Sequence, residues 1–140
     1  MSPRLATFVM VLVIGVVIGT WIAASPGVKD GLGASGADFG LALLFGPIGA
    51  LVAQQVTGQV LVRVSSRRLL VVAALVFPWL VVLPVIAPSL PLLAASLFVF
   101  GYVNTTMDVT MNAHGIALED KAGATIMSGL HGGWSLGGII

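Results

Sequence analysis

The chain has 140 residues, of which 58% are hydrophobic and 8% are charged, with a formal net charge of +1. A soluble domain carries about 25% charged residues, so an apolar interior of this size has too few charges to cover it in water, and the chain is suited to lipid. The near-zero net charge gives no basic surface for nucleic acid. The absence of cysteine excludes disulfides, thiolate metal sites and cysteine nucleophiles.

Helix 1 is predicted over 5–24. This apolar run of about 20 residues exceeds the 7–15 of a signal-peptide core, and more spans follow it, so it reads as a retained membrane helix and not as a cleaved leader. Arg4 precedes it, and Lys29 is the one basic residue expected in the loop that follows. Helix 2 is predicted over 39–62. Ser35-Gly36-Ala37-Asp38 has the form of a capping box at its start, with a hydroxyl residue three positions before a carboxylate. Helix 3 is predicted over 69–87. The Ala87-Pro88-Ser89-Leu90-Pro91 break is short enough to force an antiparallel hairpin with helix 4, predicted over 90–113. A fifth apolar stretch, 125–140, reads as a helix cut inside its span.

Positive charge in short loops sets orientation. Arg63, Arg67 and Arg68 lie between helices 2 and 3, and Arg4 lies before helix 1. Both are expected on the cytoplasmic side of the cell membrane, with the N-terminus inside and the chain crossing several times.

Helices in lipid gain little from hydrophobicity and associate through small residues. Gly15 and Gly19 supply such a face in helix 1, and Gly46, Gly49 and Ala50 supply one in helix 2. Gly129, Gly132, Gly133, Gly137 and Gly138 do so in helix 5. Pro47, Pro78 and Pro84 each remove a helix hydrogen bond and favour a kink.

The polar residues inside the spans are the candidates for function. Asn104, Asp108 and Asn112 recur at spacing four, so they share one face of helix 4, with Thr105 at its border. An aspartate at the bilayer centre costs about 2.5–3.5 kcal/mol and usually faces a bundle interior or a wet cavity. Asp108 is five residues from the predicted end of helix 4, so an interfacial or capping role remains open beside a functional one. Gln54, Gln55 and Thr57 suit either interhelical hydrogen bonding or a solute path. His131 and Trp134 are three apart in helix 5 and share a face. His114 falls at the end of helix 4. Trp21 and Trp79 read as interfacial or packing aromatics. No nucleophile–base–acid set, phosphate loop or metal-ligand spacing is visible, so the sequence points away from an enzyme and implies no cofactor and no metal.

The segment Gly58-Gln59-Val60-Leu61-Val62-Arg63-Val64-Ser65-Ser66-Arg67-Arg68 resembles the G-x-x-x-D-R-x-G-R-R signature of the major facilitator superfamily (MFS), which lies between that family's second and third helices. Gly58, Arg63 and Arg67 match it. Val62 stands at the acidic position and Ser65 at the second glycine, and the missing acid removes one side of the gating contact the motif would otherwise imply. Trp21 before Ser25-Pro26, the run Gly101 to Asn112, and Met127 to Gly138 are similar to the sugar-permease-like branch around the fucose permeases.

The resemblance implies an all-α transmembrane fold, of which 1–140 would be an incomplete N-terminal half: the first four helices and part of the fifth of twelve. It implies a secondary transporter in which two halves rock around a midplane site. Helices 1 and 4 would line the cavity, helices 2 and 5 would flank it, and helix 3 would face lipid. The solute would be small and polar, of the sugar type, and the partners would be the bilayer, that solute and the remaining helices. Helix 1 carries no acid, which speaks against proton coupling through that helix and against a small four-helix multidrug-type exporter. A non-transporting membrane scaffold is the other alternative.

Overall fold

The computed structural model describes residues 3–122, and every regular element among them is a helix: α1 Pro3–Gly31, α2 Gly36–Leu43, α3 Phe45–Leu61, α4 Ser66–Leu80, α5 Val82–Val85 and α6 Leu90–Ala122. These make four spans long and apolar enough to cross a membrane: Leu12–Gly31, Gly36–Leu61, Ser66–Val85 and Leu90–Ala113. The expected fifth segment, 125–140, lies outside the described residues.

The expected end of helix 1 before Ser25-Pro26 is corrected: α1 continues to Gly31. Proline at 26 has no N–H to offer the Ile22 carbonyl four residues earlier. The Ser25 hydroxyl donates to that carbonyl instead, at 2.9 Å, so the turn keeps a donor and the helix passes through. Lys29 therefore sits in the last helical turn, where a cation meets the negative end of the helix dipole. The helix ends in a Schellman arrangement: the Gly33 N–H donates to the Asp30 carbonyl at 3.0 Å and the Ala34 N–H to the Lys29 carbonyl at 3.2 Å. Gly33 has φ +59°, a left-handed conformation that other L-residues adopt at a cost of about 1–2 kcal/mol.

Half of the expected capping box is borne out, the serine cap. Ser35 takes the cap position, its hydroxyl oxygen accepting from the Asp38 N–H at 3.1 Å while the hydroxyl donates to Asp38 Oδ2 at 2.6 Å. Span two is broken at Leu44 and span three at Val81. Each break falls three residues before a proline, Pro47 and Pro84, next to the carbonyl that the ring deprives of a partner. The Leu44 N–H shifts to the Leu41 carbonyl at 3.3 Å, one turn tightened. Pro78 lies inside α4 without breaking it.

α6 is the central element. α3 packs along it most extensively, α4 packs on another side, and α1 reaches the bundle through α4 and α5. The shared core holds Ile14, Val17 and Trp21 of α1, Phe77 of α4, and Leu93, Leu97, Phe100 and Met107 of α6. Trp21 is thus a packing residue, whereas Trp79 is 75% exposed. The Phe77 and Phe100 rings stack with centroids 5.1 Å apart, a pairing worth about 0.5–1.5 kcal/mol beyond area burial.

Helix 4 was expected to stop at Ala113. The apolar span does stop there, but the helix runs on to Ala122. His114, expected at a helix end, is inside α6.

Candidate functional site

Two sets of polar residues on α6 divide its surface. The first faces α3. Gly46 and Gly49 meet the α6 backbone so closely that a Cβ on Gly49 would overlap the Phe98 carbonyl, and a Cβ on Gly101 would overlap the Gly46 carbonyl. Below this contact, Ala53 and Thr57 continue the same face of α3, both buried. The Thr57 hydroxyl donates to Thr106 Oγ1 at 3.2 Å, and the Thr106 hydroxyl donates to the Tyr102 carbonyl at 2.9 Å. Spans two and four therefore run side by side in the same direction, joined backbone to backbone at one level and hydroxyl to hydroxyl at the next. This joint needs glycine on both helices because only there is no Cβ to separate them.

The second set is the Asn104, Asp108 and Asn112 face. The packed side of α6 carries Leu93, Leu97, Phe100, Met107 and Met111. Asp108 is exposed on the flank, and Asn104, Thr105 and Asn112 are half-buried. One helical turn at this level gathers polar atoms without partners. Among the described residues, Thr110 Oγ1 and Asn112 Oδ1 are buried and make no hydrogen bond. Each such atom costs about 1–3 kcal/mol; Thr110 is fully buried and follows Thr106 by four residues, on the packed side of α6, while Asn112 follows Asp108 by four on the polar face. Asp108 is 14 residues from the end of α6 but five from the end of the apolar span at Ala113, so the longer helix leaves its distance from the expected membrane interface unchanged.

Of the other sequence-singled residues, Gln54 and Gln55 are exposed on α3, and only Thr57 of that trio enters an interhelical bond. Gly58 lies in the last turn of α3, with open space where a Cβ would sit. Arg63 occupies the turn, its N–H bonded to the Val60 carbonyl at 2.9 Å. Arg67 and Arg68, expected in the loop, fall in the first turn of α4, which starts at Ser66. All three arginines are exposed. His131 and Trp134 lie outside the described residues. Among the described residues no three His, Cys, Asp or Glu side chains come together as metal ligands would.

Sequence reasoning missed Thr106 and Gly101. Gly101 stands alone in helix 4 with no GxxxG spacing to flag it, and the pairing of Thr106 with Thr57 depends on the register of two helices 49 positions apart in the chain.

The chain is similar to known membrane proteins. The chain is 34% identical over 128 residues to the uncharacterized transporter y4wD of Sinorhizobium fredii, covering 90% of this chain and 33% of the relative. It is 36% identical over 123 residues to membrane protein MosC of Rhizobium meliloti, covering 88% of this chain and 30% of the relative. It is 32% identical over 139 residues to an uncharacterized MFS-type transporter of Yersinia pestis, covering 99% of this chain and 35% of the relative. The chain thus spans about a third of the length of the curated relatives it matches. No family model matches it, and no solved structure does. The chain is a multi-pass membrane protein, all-helical among its described residues, and related to proteins named as transporters.

Proposed function

We infer that the chain is the N-terminal part of an MFS-type secondary transporter that carries a small polar solute, such as a sugar, by alternating access. The observation that carries this reading is the position of Asp108: a carboxylate inside the apolar stretch of the central helix, exposed on its flank, with Asn112, whose buried Oδ1 makes no hydrogen bond, four residues further on along the same face. A scaffold has no use for a polar flank on its central helix, because each such group in lipid destabilises the bundle. A transporter has, because a polar solute crossing the membrane must exchange water for fixed polar partners. The MFS-type relative, similar over nearly the whole chain, supports the same reading. The missing helices would then supply the opposite wall of the path, and the N-terminus would lie in the cytoplasm.

The test is uptake by the full-length transporter carrying Asp108→Asn, which keeps size and removes charge. Transport per folded molecule should fall by at least tenfold while membrane abundance stays near that of the parent. Full activity would remove Asp108 from the path. Loss of protein in step with loss of transport would make it a structural residue.

A further inference from the structure

We propose that the groove at the start of α4 binds the headgroup of an anionic phospholipid. Ser65, Arg67, Arg68, Val71 and Val72 line a cavity of about 490 Å³ there. Its composition is divided: two guanidinium groups and a hydroxyl at one end, two apolar side chains at the other. From Val62 to Arg68 the sequence holds three arginines and no acid, so the local charge attracts an anion. A guanidinium presents a planar fork of donors that matches phosphate oxygens two at a time.

The helix beyond the groove fits the rest of the same molecule. Arg68, Val72, Leu75 and Trp79 follow one another at spacings of four, three and four, which places them along one face of α4. Val72, Leu75 and Trp79 are 59%, 68% and 75% exposed. From residue 68 to residue 79 the helix rises about 16 Å at 1.5 Å per residue, close to half of the roughly 30 Å hydrocarbon core. A phosphate held at Arg67 and Arg68 therefore leaves an acyl chain lying along this face through one leaflet. Free phosphate would make no use of the valines, and a neutral lipid would make no use of the arginines. The proposal depends on the chain being a membrane protein and not on its carrying a solute, so its failure leaves the transport reading intact.

The full-length protein, purified in detergent and loaded from equimolar phosphatidylglycerol and phosphatidylcholine, is the material for the test. Lipid retained per protein after washing is measured by mass spectrometry. The parent should retain phosphatidylglycerol selectively. Each basic residue near an anionic surface is worth about fivefold in affinity, so Arg67→Gln/Arg68→Gln should weaken retention by roughly 30-fold. Arg63→Gln, in the turn before α4 and outside the groove, should weaken retention by no more than the roughly fivefold worth of one nearby charge. Four results would overturn the proposal: equal retention of both lipids; retention unchanged by the double substitution; an equal loss in Arg63→Gln, which would mean net charge alone; or displacement by millimolar inorganic phosphate. A cysteine at Leu75 that cross-links to a second copy in vesicles would also overturn it, since the face would then be an interface between copies. Circular dichroism of the double variant, expected to match the parent, keeps a folding defect from mimicking loss of the site.

Discussion

At the scale of single residues, the behaviour of this chain turns on how it treats carbonyls that prolines leave without a donor. Ser25 and Pro26 form a compensated pair: the proline removes the N–H, and the hydroxyl next to it replaces the bond to Ile22. Ser25→Ala should therefore destabilise the protein by about 1 kcal/mol, read as a lower thermal midpoint in detergent. The same substitution in a Pro26→Ala background should be near neutral, because the new amide N–H reaches Ile22 by itself. An equal loss in both backgrounds would mean that the serine acts elsewhere. Pro47 and Pro84 have no such neighbour, the preceding residues being Gly46 and Leu83, and their spans break. The sequence marks a proline clearly enough, but not what it does to the helix: Pro26 is bridged by a neighbouring hydroxyl, Pro47 and Pro84 break their spans, and Pro78, preceded by Phe77, sits inside an unbroken α4 with no such donor. A reading that treated Ser25-Pro26 as a stop consequently ended α1 seven residues early.

At the scale of elements, spans two and four form one body. The glycine contact leaves no room for a side chain, and the hydroxyl bond between Thr57 and Thr106 fixes the register a few turns on. The glycine faces first suggested two uses, tight packing or backbones that slide past each other. For this pair of helices the arrangement favours a fixed joint. Because the native chain has no cysteine, Thr57→Cys/Thr106→Cys can test it cleanly. The disulfide should form in membranes, and, on the transport function proposed above, the oxidised full-length protein should keep most of its uptake. Activity that disappears on oxidation and returns on reduction would mean that the helices must slide after all. Gly101→Val should prevent the helices from meeting and lower the amount of folded protein. The limits of spans two to four were legible to within about three residues, since hydropathy reports where an apolar stretch begins and ends, and the apolar part of α6 ends at Ala113 as read; span one, Leu12–Gly31 against an expected 5–24, was not. The end of α6 itself was not legible either, because a helix can outlast its lipid-facing stretch. Likewise the Asn104, Asp108 and Asn112 face is a property of one helix and is visible in one dimension. The Thr57–Thr106 bond is a property of two, and nothing in either segment states which turns will meet.

At the scale of the whole molecule, the bundle has two unlike ends. The loop after α1 and the turn before α6 lie at one end, where residues 24–32 of the first span meet residues 85–88 of the third. The Leu44 and Val81 breaks lie toward that end, while the hydroxyl joint and the arginines lie toward the other. Single cysteines locate these ends. Cysteine in place of Asp30 should react with an impermeant maleimide added to intact cells, and cysteine in place of Ser65 should react only after the cells are opened. The opposite pattern would invert the orientation and put the arginine groove in the outer leaflet.

The length of α6 has a mechanical consequence. Nine residues separate Ala113 from Ala122, so a rigid stub of about 14 Å stands beyond the apolar stretch at 1.5 Å per residue. It is one continuous rod with the part that bears Asp108. Any twist or tilt of that carboxylate is carried along the rod into water, where Ile116, exposed two turns further on, turns with it. The absence of any helix break between Asp108 and Ala122 means that a tilt imposed beyond the apolar stretch reaches the level of Asp108 without a hinge in between.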